Sequence, residues 1–76
     1  MITVKIYGLL RIESGIKEKQ LNAATAADVL DTLAECGIRK KDLDGCMILI
    51  NGKTGKKRSK LADGDTEVLM SPVAGG

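Results

Sequence analysis

Glu67-Val68-Leu69-Met70-Ser71-Pro72-Val73-Ala74-Gly75-Gly76 changes character half-way along. Its first five residues read as a strand. Pro72 has no N–H and a fixed φ, so it cannot continue a sheet ladder and the strand should stop there. Beyond it the backbone loses its large side chains and then its Cβ. Terminal glycines do nothing for folding, because glycine gives up the most conformational freedom when ordered. They suit a terminus that enters a narrow place. Two adjacent glycines at one position arise by chance in roughly one chain in two hundred, and small residues at frayed termini are common. The placement adds weight: a strand, a proline stop, then a taper to a carboxylate. Five extended residues reach at most ~17 Å, enough to cross from a domain surface into a partner's buried site.

The remainder reads as the platform for that tail. A chain of 76 residues is expected to form one domain, 1–71, followed by a flexible tail, 72–76. At this size roughly 60% of the unfolded surface is buried, so the core must be efficient. With no Trp, no Phe and only Tyr7, it must be aliphatic, built from Ile, Leu, Val, Met and Ala.

Working back from the tail, Asp63-Gly64-Asp65 is a turn and Leu61 a core position. Lys53 to Lys60 carries five positive charges and no negative one. No aromatic residues are interleaved to stack on bases, so a solvated hairpin tip is expected there before a nucleic-acid contact. An intermediate reading is that these lysines dock an acidic surface of a partner protein. Cys46-Met47-Ile48-Leu49-Ile50 is an unbroken apolar run of strand length, expected to be covered on both faces or nearly so. Asn51-Gly52 ends it with a hairpin signal. Arg39 to Gly45 reads as a polar connection.

The strongest local signal is a helix over about 26–36. Thr25 stands as N-cap with Asp28 at capping-box spacing. Ala26, Val29, Leu30 and Leu33 fall on one face. Gly37 can supply a left-handed cap, with Ile38 folding back. At the start, Ile2, Val4 and Ile6 alternate with Thr3, Lys5 and Tyr7, a half-buried strand. Leu9-Leu10 reads as a bend and Glu13-Ser14-Gly15 as a turn. A weaker edge strand from about Lys17 to Ala23 would pair with the first as a hairpin. A crossover containing the helix can bring first and last strands side by side in parallel. One sheet on one helix, an α+β two-layer domain, is the simplest outcome.

Composition excludes several functions. Net charge +2 is too balanced to indicate nucleic acid, and no apolar run could span a bilayer. Without a signal-peptide layout at Met1-Ile2-Thr3-Val4-Lys5, a soluble cytoplasmic protein is expected. Cys36 and Cys46, with no His and no C-x-x-C, suggest neither a disulfide scaffold nor zinc, and no metal site is expected. Both are expected to be small buried hydrophobes. No nucleophile and base pair and no phosphate-cradling loop is visible, so catalysis of its own is not expected.

The element order, with Tyr7-Gly8-Leu9-Leu10-Arg11 leading to Gly15, Thr25-Ala26-Ala27-Asp28-Val29-Leu30, Ile50-Asn51-Gly52, and Asp63-Gly64-Asp65 followed by a strand and Pro72 to Gly76, resembles the ubiquitin-like sulfur carriers of the MoaD/ThiS type. It is most similar to the small subunit of molybdopterin synthase, with the thiamine-pathway carrier next. Leu69, Met70 and Ser71 stand where members often have aromatic residues and a second proline.

The resemblance implies a β-grasp (ubiquitin-like) fold, with a mixed four- to five-stranded sheet on one main helix. It also implies a mode of action. A ubiquitin-activating-type adenylyltransferase uses ATP to join Gly76 to AMP, and sulfur from a persulfide donor replaces the nucleotide. The Gly76 thiocarboxylate is then delivered to the molybdopterin synthase large subunit or an equivalent acceptor. No stably bound cofactor is implied. Gly75 and Gly76 would pass through a tight channel. Pro72, Val73, Ala74, Leu9, Leu69 and Met70 would meet the partner. A bulky group at Gly75 would block transfer and leave folding untouched. A modifier that forms isopeptide bonds through Gly76, or a plain binding module with an incidental tail, stays open.

Overall fold

The computed structural model describes residues 1–71, and the expectations for Pro72 to Gly76 lie outside them. Among the described residues the order is β1 (Ile2–Tyr7), α1 (Leu9–Ser14), β2 (Glu18–Leu21), α2 (Ala26–Glu35), α3 (Lys40–Asp44), β3 (Met47–Ile50), β4 (Lys53–Thr54) and β5 (Thr66–Met70). The strands form one mixed sheet in the order β2-β1-β5-β3-β4. β1 pairs antiparallel with β2 and parallel with β5, so first and last strands are neighbours as the crossover argument requires. β5 is the central strand, bounded by β1 and by antiparallel β3, and β4 closes the far edge. This is the β-grasp arrangement, with α2 as its main helix.

The core follows from the strand and helix periods. Ile2, Val4 and Ile6 are at most 2% exposed, and the α2 stripe of Ala26, Val29, Leu30 and Leu33 closes over them. The capping box forms in full. Thr25 Oγ1 accepts the Asp28 N–H at 3.3 Å, and Asp28 Oδ2 accepts the Thr25 N–H at 3.0 Å. The next two N–H groups of α2 donate to the carbonyls of Ser59 (2.9 Å, from Ala26) and Lys57 (2.7 Å, from Ala27). At the other end Gly37 takes φ 102°, its N–H reaches Ala34 O, and the Ile38 N–H reaches Leu33 O at 3.2 Å. That is a Schellman closure, and it buries Ile38. Asn51 and Gly52 both take positive φ, 51° and 85°, as a type I′ hairpin demands.

Several expectations are corrected. The bend at Leu9-Leu10 is the first turn of α1, because Leu10 is drawn into the core at 2% exposure and Gly15 stops the helix at φ 74°. The polar connection contains α3, which exists to bury Leu43 at 1% exposure. β3 is not covered on both faces: Ile48 is buried, Leu49 and Ile50 are half-buried, and Met47 is 56% exposed. Methionine contributes nothing to the buried core, since Met1, Met47 and Met70 are all exposed. Neither cysteine is fully buried. Cys36 is exposed at the end of α2, while Cys46 is half-buried, its Sγ 3.2 Å from Asp42 O and its pKa raised by burial. The basic stretch is more than a solvated tip. Only Lys53 and Thr54 pair as β4, and the rest runs back to cap α2, with Lys57 paired to Asp44 at 2.8 Å. That contact holds the Asp44 carboxyl below the usual range.

Candidate functional site

β5 ends at Met70, and Ser71 is the last described residue before the tail. Its root is held at two points. The Ser71 N–H reaches Tyr7 O at 3.5 Å, and Ser71 Oγ accepts the Leu10 N–H at 3.2 Å, tying the root to the start of α1. Gly8 makes this possible. It sits at φ 76°, ψ −152°, a region essentially reserved for glycine, and a Cβ there would lie 2.5 Å from Ser71 Oγ. Ser71 therefore lies at the corner where β1 turns into α1. A depression between Leu9, Glu13, Lys41, Gly45 and Ser71 lies beside it.

The sheet face away from α2 has no covering layer among the described residues, and strand parity decides what it shows. Tyr7 pairs with Met70 and Met70 with Met47, so these three form one row across β1, β5 and β3 at the end where the tail begins. They are 41%, 38% and 56% exposed, three of the six large apolar side chains exposed among the described residues, gathered in one row. The next row is Lys5, Val68 and Leu49. Leu9, 46% exposed, stands on α1 beside the root, with Ile12 further along at 77%.

Of the docking residues expected from sequence, Leu9 and Met70 are at the surface next to Ser71. Leu69 is not. It is 0% exposed, between Ile6 and Ile48 on the core face, and cannot touch a partner. Tyr7 and Met47, which the sequence alone did not single out, are the apolar side chains exposed beside Met70 instead. The alternation of β1 already pointed Tyr7 outward, but no pattern in the apolar run of β3 marked Met47. Gly75, Gly76, Pro72, Val73 and Ala74 lie outside the described residues. Among the described residues no cluster of His, Cys, Asp or Glu could hold a metal ion, and no helix is long and apolar enough to cross a membrane.

Comparison with known proteins agrees with this geometry. No curated protein matches the sequence significantly. Solved structures do. The small archaeal modifier protein 1 of Methanosarcina acetivorans is 26% identical, with a TM-score of 0.83 over 99% of this chain and 95% of that one. The complex of subunits 1 and 2 of the molybdopterin-converting factor of Helicobacter pylori contains a chain 25% identical, with a TM-score of 0.74 over 99% of this chain and 97% of that one. The small archaeal modifier protein 1 of Haloferax volcanii shares the fold at 24% identity and a TM-score of 0.81, over 99% and 98% of the two chains. The profile of the ThiS family matches residues 4–76, from within β1 through the Gly-Gly terminus. The chain therefore belongs to the ThiS family.

Proposed function

We propose that this protein is a sulfur carrier whose Gly76 is activated, loaded with sulfur and handed to an acceptor subunit. Membership of the ThiS family through the last residue supports this reading most directly. The chemistry follows from what a carboxylate lacks. Its oxygen is a poor leaving group and its charge repels nucleophiles, so it must first be made into an acyl adenylate. A ubiquitin-activating-type adenylyltransferase supplies that step, consuming ATP and releasing pyrophosphate. Persulfide sulfur from a sulfurtransferase then displaces AMP. A second thiol cleaves the resulting S–S bond and leaves a thiocarboxylate. Every catalytic group belongs to a partner, and the chain contributes a narrow arm and a surface that aligns it.

Tyr7, Met47, Met70 and Leu9 are the docking residues in this reading. They surround the root of the tail, and methionine adapts to more than one partner surface. Pro72, Val73 and Ala74 then thread toward the site. Ordering the five residues from Pro72 to Gly76 costs on the order of 5 to 10 kcal/mol, which contacts to the tail backbone must offset. The acceptor that best fits is the large subunit of molybdopterin synthase, since a chain of the molybdopterin-converting factor complex is among the relatives. The reading places the protein in the cytoplasm.

A second reading, a modifier that forms an isopeptide bond through Gly76, is favoured by the likeness to small archaeal modifier protein 1. Activation is shared, and only the acceptor differs. Intact-mass analysis after incubation with the activating enzyme, ATP and a persulfide donor should show one oxygen of Gly76 replaced by sulfur. An unchanged mass with a competent partner refutes the carrier. Diglycine remnants on target lysines would establish the modifier.

A further inference from the structure

One carboxyl group lies inside the aliphatic core. Glu67 is 0% exposed, and neither of its side-chain oxygens has a hydrogen-bond partner among the described residues. Buried polar groups are normally paired, so an orphan carboxyl at the centre of a small domain calls for a physical account. Its setting makes ionisation difficult. Glu67 sits on the central strand, between Val4 of β1 and Ile50 of β3. The same row of the sheet continues to Lys19 on β2 and Lys53 on β4, each two strands away, about 10 Å between backbones.

Other charges near this face are already occupied or point outward. Asp65, two residues earlier on the chain, is held by the Ala62 N–H and the Asn51 amide. Asp28 of α2 caps its own helix, and the rest of the buried α2 face is Ala26, Val29, Leu30 and Leu33. β1 and β3 present only Ile2, Val4, Ile6, Ile48 and Ile50. Lys56, Lys57, Arg58 and Lys60 are exposed to solvent.

An isolated charge cannot stay in such a place, and on a central strand a change of rotamer alone does not bring it to water. We propose that Glu67 is a proton-linked switch in the strand that carries the tail: neutral, it allows β5 to pack as found, and ionised, it drives β5 away from the core face. Burial pushes its pKa up to about 7, against 4.5 for an ordinary glutamate. The folded protein therefore holds a proton that the unfolded chain has already released across that interval. The stabilisation is complete below the unfolded value and is lost as pH rises through the folded one.

The chain has no His, so between pH 5 and 7.5 Glu67 titrates with little competition from other side chains. Urea unfolding of the full chain, followed by circular dichroism, should show the unfolding constant rising roughly fiftyfold from pH 5 to pH 7.5. In Glu67→Gln and Glu67→Met it should stay level. Amide exchange at Val68 and Leu69, corrected for intrinsic rate, should quicken with pH in the parent and not in the variants. Should neither variant fold, carbon-detected NMR titration of the parent's Glu67 carboxyl decides alone. A midpoint near neutrality supports the switch, and an ordinary carboxylate midpoint overturns it. A parent whose stability does not change over this range overturns it too.

Discussion

Gly8→Ala tests whether the root of the tail is held as described. Two costs arise. The backbone at φ 76°, ψ −152° is open essentially to glycine alone, so alanine carries about 1 to 3 kcal/mol of strain if it stays there. The new Cβ would also stand 2.5 Å from Ser71 Oγ and 3.4 Å from Ser71 O. The hydroxyl must move, and the partly buried Leu10 N–H loses its acceptor, worth about 1 kcal/mol. The sum is about 3 kcal/mol, or a fall in Tm of very roughly 12 to 24 °C for a domain of this size. Gly15→Ala is the control. Gly15 also has positive φ, 74°, but a Cβ there would meet nothing within 4 Å, so only backbone strain of about 1 to 2 kcal/mol applies. Urea melts of Gly8→Ala, Gly15→Ala, Ser71→Ala and the double variant Gly8→Ala with Ser71→Ala complete the comparison. Removing the hydroxyl relieves the collision, so the double variant should be more stable than the sum of its parts by about 1 kcal/mol. Strict additivity, or a Gly8→Ala no worse than Gly15→Ala, would refute the clamp.

Leu33→Ala, at a fully buried position of α2, should cost about 2 to 5 kcal/mol in the same melts, because the helix cannot collapse into the space left. Met47→Lys and Met70→Lys should leave stability within about 0.5 kcal/mol, both side chains being well exposed, while weakening capture by the acceptor subunit tenfold or more in a calorimetric titration. Asp65 is held below the ordinary carboxylate range by the Ala62 N–H and then by Asn51. Its contribution is present above the unfolded pKa and is lost as pH falls through the depressed one. Asp65→Asn should therefore lower stability on the neutral side and flatten the fall on the acid side, so that parent and variant converge at low pH, read by melts between pH 2 and 7.

Where side chains alternate or repeat at 3.6 residues, the sequence was readable: β1, α2 with both caps, and the Asn51-Gly52 turn all follow from local rules. Helices of five or six residues do not. Such segments are unstable alone, and α1 and α3 exist because Leu10 and Leu43 gain burial from elements far along the chain. The tail is legible as composition alone, a proline and then glycines, and lies outside the described residues. The exposed apolar row beside Ser71 was legible only in part, because it depends on which way β5 faces.

That orientation was hidden for a reason that joins two features of the molecule. In Glu67-Val68-Leu69-Met70 the only polar residue would ordinarily mark the solvent side, which would turn Val68 and Met70 inward. The register does the reverse, pairing Leu69 with Ile6 and Ile48, and Glu67 with Val4 and Ile50. A slip of one residue would free the carboxyl. It would also bury Met70 and dismantle the row with Tyr7 and Met47 beside Ser71. The awkward burial of Glu67 and the apolar surface at the root of the tail are therefore one structural choice. An apolar residue at 67 would remove the conflict and keep the surface, and a carboxyl there makes the same surface answer to protons.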